Sequence, residues 1–124
     1  MIPLRLPCGS FRKGFCRSPS EGREWRNELL MNSTITPEKL QKYFSITQEA
    51  LAKAHPAFDQ KRLREAADFF DMASRYFQDA HYFWDKKQDA VLAFAALNYA
   101  HGWLDAGAWI GLFNVKDSRL FTVN

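Results

Sequence analysis

Three polar side chains interrupt an otherwise apolar stretch near the end of the chain, and they are the residues best placed to do chemistry. Between Val91 and Phe113 the only charged residue is Asp105, and Asn98 and His101 are the other strongly polar ones. His101 and Asp105 are four residues apart, the helical spacing at which a carboxylate can orient an imidazole for proton transfer or ligand binding. At 100° per residue Asn98, His101 and Asp105 fall within about 60° of one another on one helix edge. Asp79, on the preceding helix, is a fourth candidate member. The bland alternative is a buried hydrogen-bond network that fixes helix packing, with Arg75, Ser74 or Asp71 as partners.

Other chemistries fit the sequence less well. His81 with Asp85 repeats the His101–Asp105 spacing, but in an antiparallel hairpin the two histidines sit about seven residues of helix apart, on the order of 10 Å. They cannot share an ion, and two ligands are too few for zinc, so no metal site and no cofactor are expected. Neither a glycine-rich phosphate loop nor a nucleophile elbow occurs. Arg75 to His81, RYFQDAH, resembles the arginine–histidine motif of helical ribonucleases of the higher eukaryote and prokaryote nucleotide-binding superfamily. On a straight helix, however, those two side chains point about 120° apart.

Three helices must position these residues. The first begins with Thr36 as N-cap and Pro37 at the first helical position, runs through Leu40, Phe44, Thr47, Leu51 and Ala54, and closes at Pro56. The second is expected from about Asp59 to Lys86, with a seam of Leu63, Ala66, Phe70, Ala73, Phe77, Ala80 and Trp84. That spacing suits packing along a nearly antiparallel neighbour. A tight turn at Lys86 to Gln88 and a capping Asp89 make the second and third helices a hairpin. In that hairpin His101 lies opposite about Ser74.

The third helix carries two apolar stripes, Leu92, Ala96, Tyr99, Trp103, Ala106, Ile110 and Phe113, and Ala93, Leu97, Ala100, Leu104 and Ala108. A helix apolar nearly all round is central in a protein or in a membrane. Asp105 near mid-span would cost about 2.5–3.5 kcal/mol on insertion scales. The two amphipathic helices supply faces to cover it, so no membrane insertion is expected. Gly102, Gly107 and Gly111 along this helix suggest close approach by another element. Two candidates are the C-terminal tail, folding back after a turn at Lys116 to Arg119, and a second copy of the protein in an isologous contact.

Composition bounds the function further. The 124 residues, 47% hydrophobic and 25% charged, suit one small domain. The net charge of +3 lies in the first 30 residues, which hold six Lys/Arg against three Asp/Glu, whereas residues 31–124 hold eleven of each. A neutral body whose aromatics are not interleaved with basic residues argues against nucleic acid. Both cysteines, Cys8 and Cys16, also lie in the first 30 residues, which fits a reducing, cytoplasmic compartment. Residues 1–34 are read as an N-terminal extension, disordered or an artefact of start-site choice, and residues 35–124 as the bundle.

The stretch DAHYFWDKKQDAVLAFAALNYAHGWLDAGAWIGLF, Asp79 to Phe113, followed by DSRLFTV from Asp117 to Val123, resembles the archaeal family "domain of unknown function 357". The likeness centres on Asp79-Ala80, Phe83, Asp89, Ala93-Phe94, Asn98-Tyr99-Ala100-His101 and Leu104-Asp105-Ala106-Gly107. Gln88 stands where family members typically have glycine. The resemblance implies an all-α, up-and-down three-helix bundle of left-handed twist from a euryarchaeal cytoplasm, and no substrate. Sequence and resemblance together lead to the expectation of a non-catalytic protein–protein interaction module, a homo-oligomer or a partner of another protein. The competing expectation is a small-ligand or nucleotide binder, hydrolytic or ribonuclease-like, using Asn98, His101, Asp105 and Asp79.

Overall fold

The computed structural model describes residues 31–123, and the expected extension lies outside them apart from its last four. The fold is an all-α bundle of three helices with an extended C-terminal strap. Helix α1 (Pro37–Ala54) starts as its sequence dictates: Thr36 Oγ1 accepts from the Lys39 amide at 3.1 Å, and Pro37 occupies the first turn. Its buried stripe is Leu40, Phe44, Thr47, Ala50 and Ala54, so Ala50 takes the inward place expected for Leu51.

The second helix departs from expectation. Helix α2 (Leu63–Asp85) begins four residues late, after 3₁₀ turns at His55–Ala57 and Gln60–Arg62. Asp59 does act as a cap, but of the short turn, accepting from the Lys61 amide at 3.2 Å. The cause is long-range. The Asp59 amide donates to the Leu112 carbonyl at 2.8 Å and the Asn114 amide to Ala57 at 2.7 Å, so an antiparallel bridge between Phe58 and Phe113 holds the chain extended there. Arg62 closes the same corner by donating to the Ile110 carbonyl at 2.6 Å, a helix-end acceptor with no intrahelical partner. Leu63, expected in the seam, is 47% exposed.

Between α2 and helix α3 (Ala90–Trp109) the chain reverses in four residues, and Asp89 Oδ1 caps α3 by accepting from the Leu92 amide at 3.0 Å. Gln88 lies at φ 52°, the left-handed conformation that glycine adopts without a Cβ penalty. The hairpin therefore forms with a non-glycine residue at this position at a conformational cost, offset by a bond from Gln88 Nε2 to the Trp84 carbonyl at 2.7 Å. Gln88→Gly is expected to raise stability by about 1 kcal/mol, read as an increased urea midpoint at unchanged m-value.

Helix α3 is central. Its inward face is Ala93, Ala96, Leu97, Ala100, Leu104 and Gly107, mainly the second of the two stripes read from sequence. Along the α2 edge Tyr99 meets Tyr76 (ring centroids 4.5 Å apart) and Trp103 meets Phe69 (5.1 Å). The first pair matches the hairpin register expected from sequence, and the second lies three residues, about one helical turn, from it. The core has two parts, one around Leu40, Phe44, Phe83 and Leu97 near the hairpin turn, the other around Ala50, Ala54, Leu104, Leu112 and Phe113 at the opposite end.

The end of α3 is a Schellman motif: the Leu112 amide donates to Gly107 at 2.8 Å, the Gly111 amide to Ala108 at 3.2 Å, and Gly111 has φ 80°. This turn swings Phe113 back onto Gly107. The strap, residues 114–123, then folds over the edge of α3, burying Leu120 and Phe121 to 2% and 3% exposure. Its turn is pinned by the Asp117 carbonyl, which accepts from the Leu120 and Phe121 amides, one residue later than expected. Among the described residues no helix is long and apolar enough to cross a membrane.

Candidate functional site

The four candidate residues do not converge on one point. His101 and Asp105 lie on the edge of α3 that faces the strap, not α2. His101 Nε2 donates to the Leu120 carbonyl at 2.5 Å, and Asp105 Oδ1 accepts from the Thr122 amide at 2.8 Å. Because the histidine's partner is a carbonyl, Nε2 carries the proton. His101 Nε2 and Asp105 Oδ1 stand 3.8 Å apart, so the pair brackets one residue of the strap, Phe121, by gripping the carbonyl before it and the amide after it. The expected partners on α2 are absent: Arg75 instead pairs with Asp71 at 2.8 Å on the solvent side.

Asn98 turns away and donates from Nδ2 to the Phe94 carbonyl of its own helix at 2.9 Å. Asp79 sits on α2 beside Tyr76, with no hydrogen bond to the other three among the described residues. Burial, then Tyr99 and Asp79, push the Tyr76 phenol up from its ordinary value. His81 of the ribonuclease-like motif packs between Phe44 and Phe77, with ring centroids 4.5 and 4.8 Å away, while Arg75 faces Asp71, so the two motif residues have different neighbours.

Beside His101 and Asp105 an open, mostly polar groove of about 330 Å³ runs along Ser118 to Val123. Its far end is an ionic cluster that the sequence reading did not single out. Arg119 holds Glu49 through both guanidinium nitrogens, at 2.6 and 3.3 Å, and Lys53 Nζ reaches Asp117 at 2.7 Å. The sequence signal was thin: Glu49 and Lys53 form an i, i+4 pair on the exposed side of α1, and their strap partners are some 65 residues away. The Arg119 guanidinium holds the Glu49 carboxyl below its ordinary range, and Lys53 with the Arg119 amide does the same for Asp117. Carboxylates depressed in the folded state stabilise it above their unfolded values, near pH 4, and lose that contribution as pH falls through the lower folded values. The thermal midpoint should therefore fall as pH drops below about 4 in low salt, and Asp117→Asn should flatten that slope.

A second concavity, apolar and about 400 Å³, lies on the outward side of α3, lined by Phe69, Asn98, Tyr99, Gly102, Trp103 and Ala106. A Cβ built at Gly102 meets nothing within 4 Å, so the close approach expected there from within the chain does not occur. No group of three or more His, Cys, Asp or Glu that could hold a metal occurs among the described residues.

A family model described as "Protein of unknown function (DUF357)" matches residues 42–113, more than half of the chain. The chain belongs to the DUF357 family. The matched DUF357 region contains most of α1, all of α2 and α3, and His101, Asp105, Asn98 and Asp79, and it stops at Phe113, before the strap. No curated protein and no solved structure matches the chain. The DUF357 description assigns no function.

Proposed function

We propose that this protein is an interaction module that self-associates through the outward face of α3. The observation that supports this most is the uncharged outward row Val91, Ala95, Asn98, Gly102, Ala106 and Trp109, spaced three or four residues apart. All of it but the half-buried Ala95 is exposed among the described residues, Val91 to 68% and Trp109 to 53%. Exposed large apolar groups around a concavity mark an association surface. The row is also self-complementary in size. An antiparallel second copy sets Trp109 against Val91 and Asn98 against the vacancy at Gly102, and such an isologous contact closes with two subunits. The absence of cysteine from residues 31–124 fits a reducing cytoplasm.

Gly102→Glu tests the reading cleanly because the added side chain has open space within the protomer. Sedimentation equilibrium should show wild type as a dimer and the variant as a monomer with undiminished helicity. A wild type that stays monomeric up to its solubility limit would remove the basis of the proposal. The open groove beside His101 and Asp105 supports a second reading, a small-molecule or nucleotide binder. A ligand that raises the melting midpoint of wild type but not of Asp105→Asn would favour it.

A further inference from the structure

The strap is held in a way that differs from the rest of the core. Helix packing here is side chain on side chain, whereas His101 and Asp105 address only main-chain atoms of the strap, the carbonyl of residue 120 and the amide of residue 122. Gripping backbone while pockets take selected side chains is how a protein binds an extended peptide. The side chains are taken up by the core: Leu120 and Phe121 are buried in the same cluster as Ala50, Ala54, Leu104 and Leu112. At the leading end recognition is ionic and exposed, Asp117 on Lys53 and Arg119 on Glu49.

Receptor and occupant are also separate pieces of sequence. Ala50 and Ala54 lie on α1, His101, Leu104 and Asp105 on α3 and Leu112 in the turn after it, and the strap follows all of them in the chain. The strap's first residue is still tied to the bundle, its Asn114 amide donating to the Ala57 carbonyl. Only Val115 and Lys116 then connect it to Asp117. We propose that the groove between α1 and α3 is a receptor for an extended segment bearing two adjacent large apolar residues. The strap fills it in cis, and a segment of the same chemistry on a partner protein fills it in trans. This does not depend on the association face of α3, which lies on the other side of Asp105.

The test uses the full chain and a fluorescently labelled peptide of residues 117–123, DSRLFTV. Wild type should bind it weakly, because the tethered strap competes at high effective concentration. Phe121→Asp, which ejects the strap, should bind it at least about tenfold more tightly. Adding His101→Ala should weaken binding again, and a peptide with Leu and Phe replaced by serine should not bind. Equal binding to wild type and Phe121→Asp, or no saturable binding to a Phe121→Asp chain of native helicity, overturns the proposal. If that variant loses its helicity, amide exchange in wild type decides. The Thr122 amide should exchange through an opening far more frequent than global unfolding, and exchange only through global unfolding overturns the proposal.

Discussion

Replacing Gly107 by alanine should lower stability by about 2 kcal/mol, although helix propensity alone predicts a gain of about 1 kcal/mol. The sign is set by Phe113. The Schellman turn brings its ring against Gly107 of α3, where a Cβ would land on Cε2 and 2.8 Å from Cδ2. Phe113 is 1% exposed, so it has nowhere to retreat. It also carries the bridge to Phe58, so moving it disturbs the 57–59 segment as well. Gly102→Ala is the matched control: with nothing within 4 Å it should gain about 1 kcal/mol. For a domain of this size the two variants should differ in melting midpoint by more than about 10 °C. A Gly107→Ala protein as stable as wild type would mean that the ring does not occupy this position.

Phe121→Ala should cost about 3 kcal/mol, the usual loss for truncating a buried phenylalanine. What distinguishes a docked strap from an ordinary core residue is coupling. His101→Ala alone should cost about 1 kcal/mol, the worth of one hydrogen bond to the Leu120 carbonyl. In the Phe121→Ala background the same change should cost close to nothing, because a strap already released offers His101 no partner. A double-mutant cycle on urea midpoints reads this directly, and simple additivity would show that the strap does not dock as one unit.

Much of the bundle was legible because its signals are local. Thr36-Pro37 and Asp89 cap helices through bonds that span three residues, and the hairpin register follows from counting outward from its turn, which places Tyr76 on Tyr99. The failures share a cause. Asp59 reads as the start of a long helix, but its amide is claimed by Leu112, more than fifty residues on. His101 was assigned partners on α2 because hairpin arithmetic gives the level along the helix and not the direction a side chain leaves it. At 100° per residue His101 points about 160° away from Tyr99, so the two cannot meet the same neighbour. Gly107 and Gly102 were indistinguishable in sequence, and only the return of Phe113 separates them.

The antiparallel bridge between Phe58 and Phe113 bears on the order of folding. The α2–α3 hairpin closes through contacts near in sequence, whereas the bridge joins segments more than fifty residues apart and the strap reaches back from Asp117 to Lys53. Loop-closure entropy favours forming the near contacts first, so the bridge and strap lock last, after the rate-limiting barrier. Substitutions such as Phe121→Ala then act mainly by accelerating unfolding and leave the refolding rate nearly unchanged. The lifetime of the native protein is accordingly set by the bridge and the strap, and the speed at which it is reached by the hairpin.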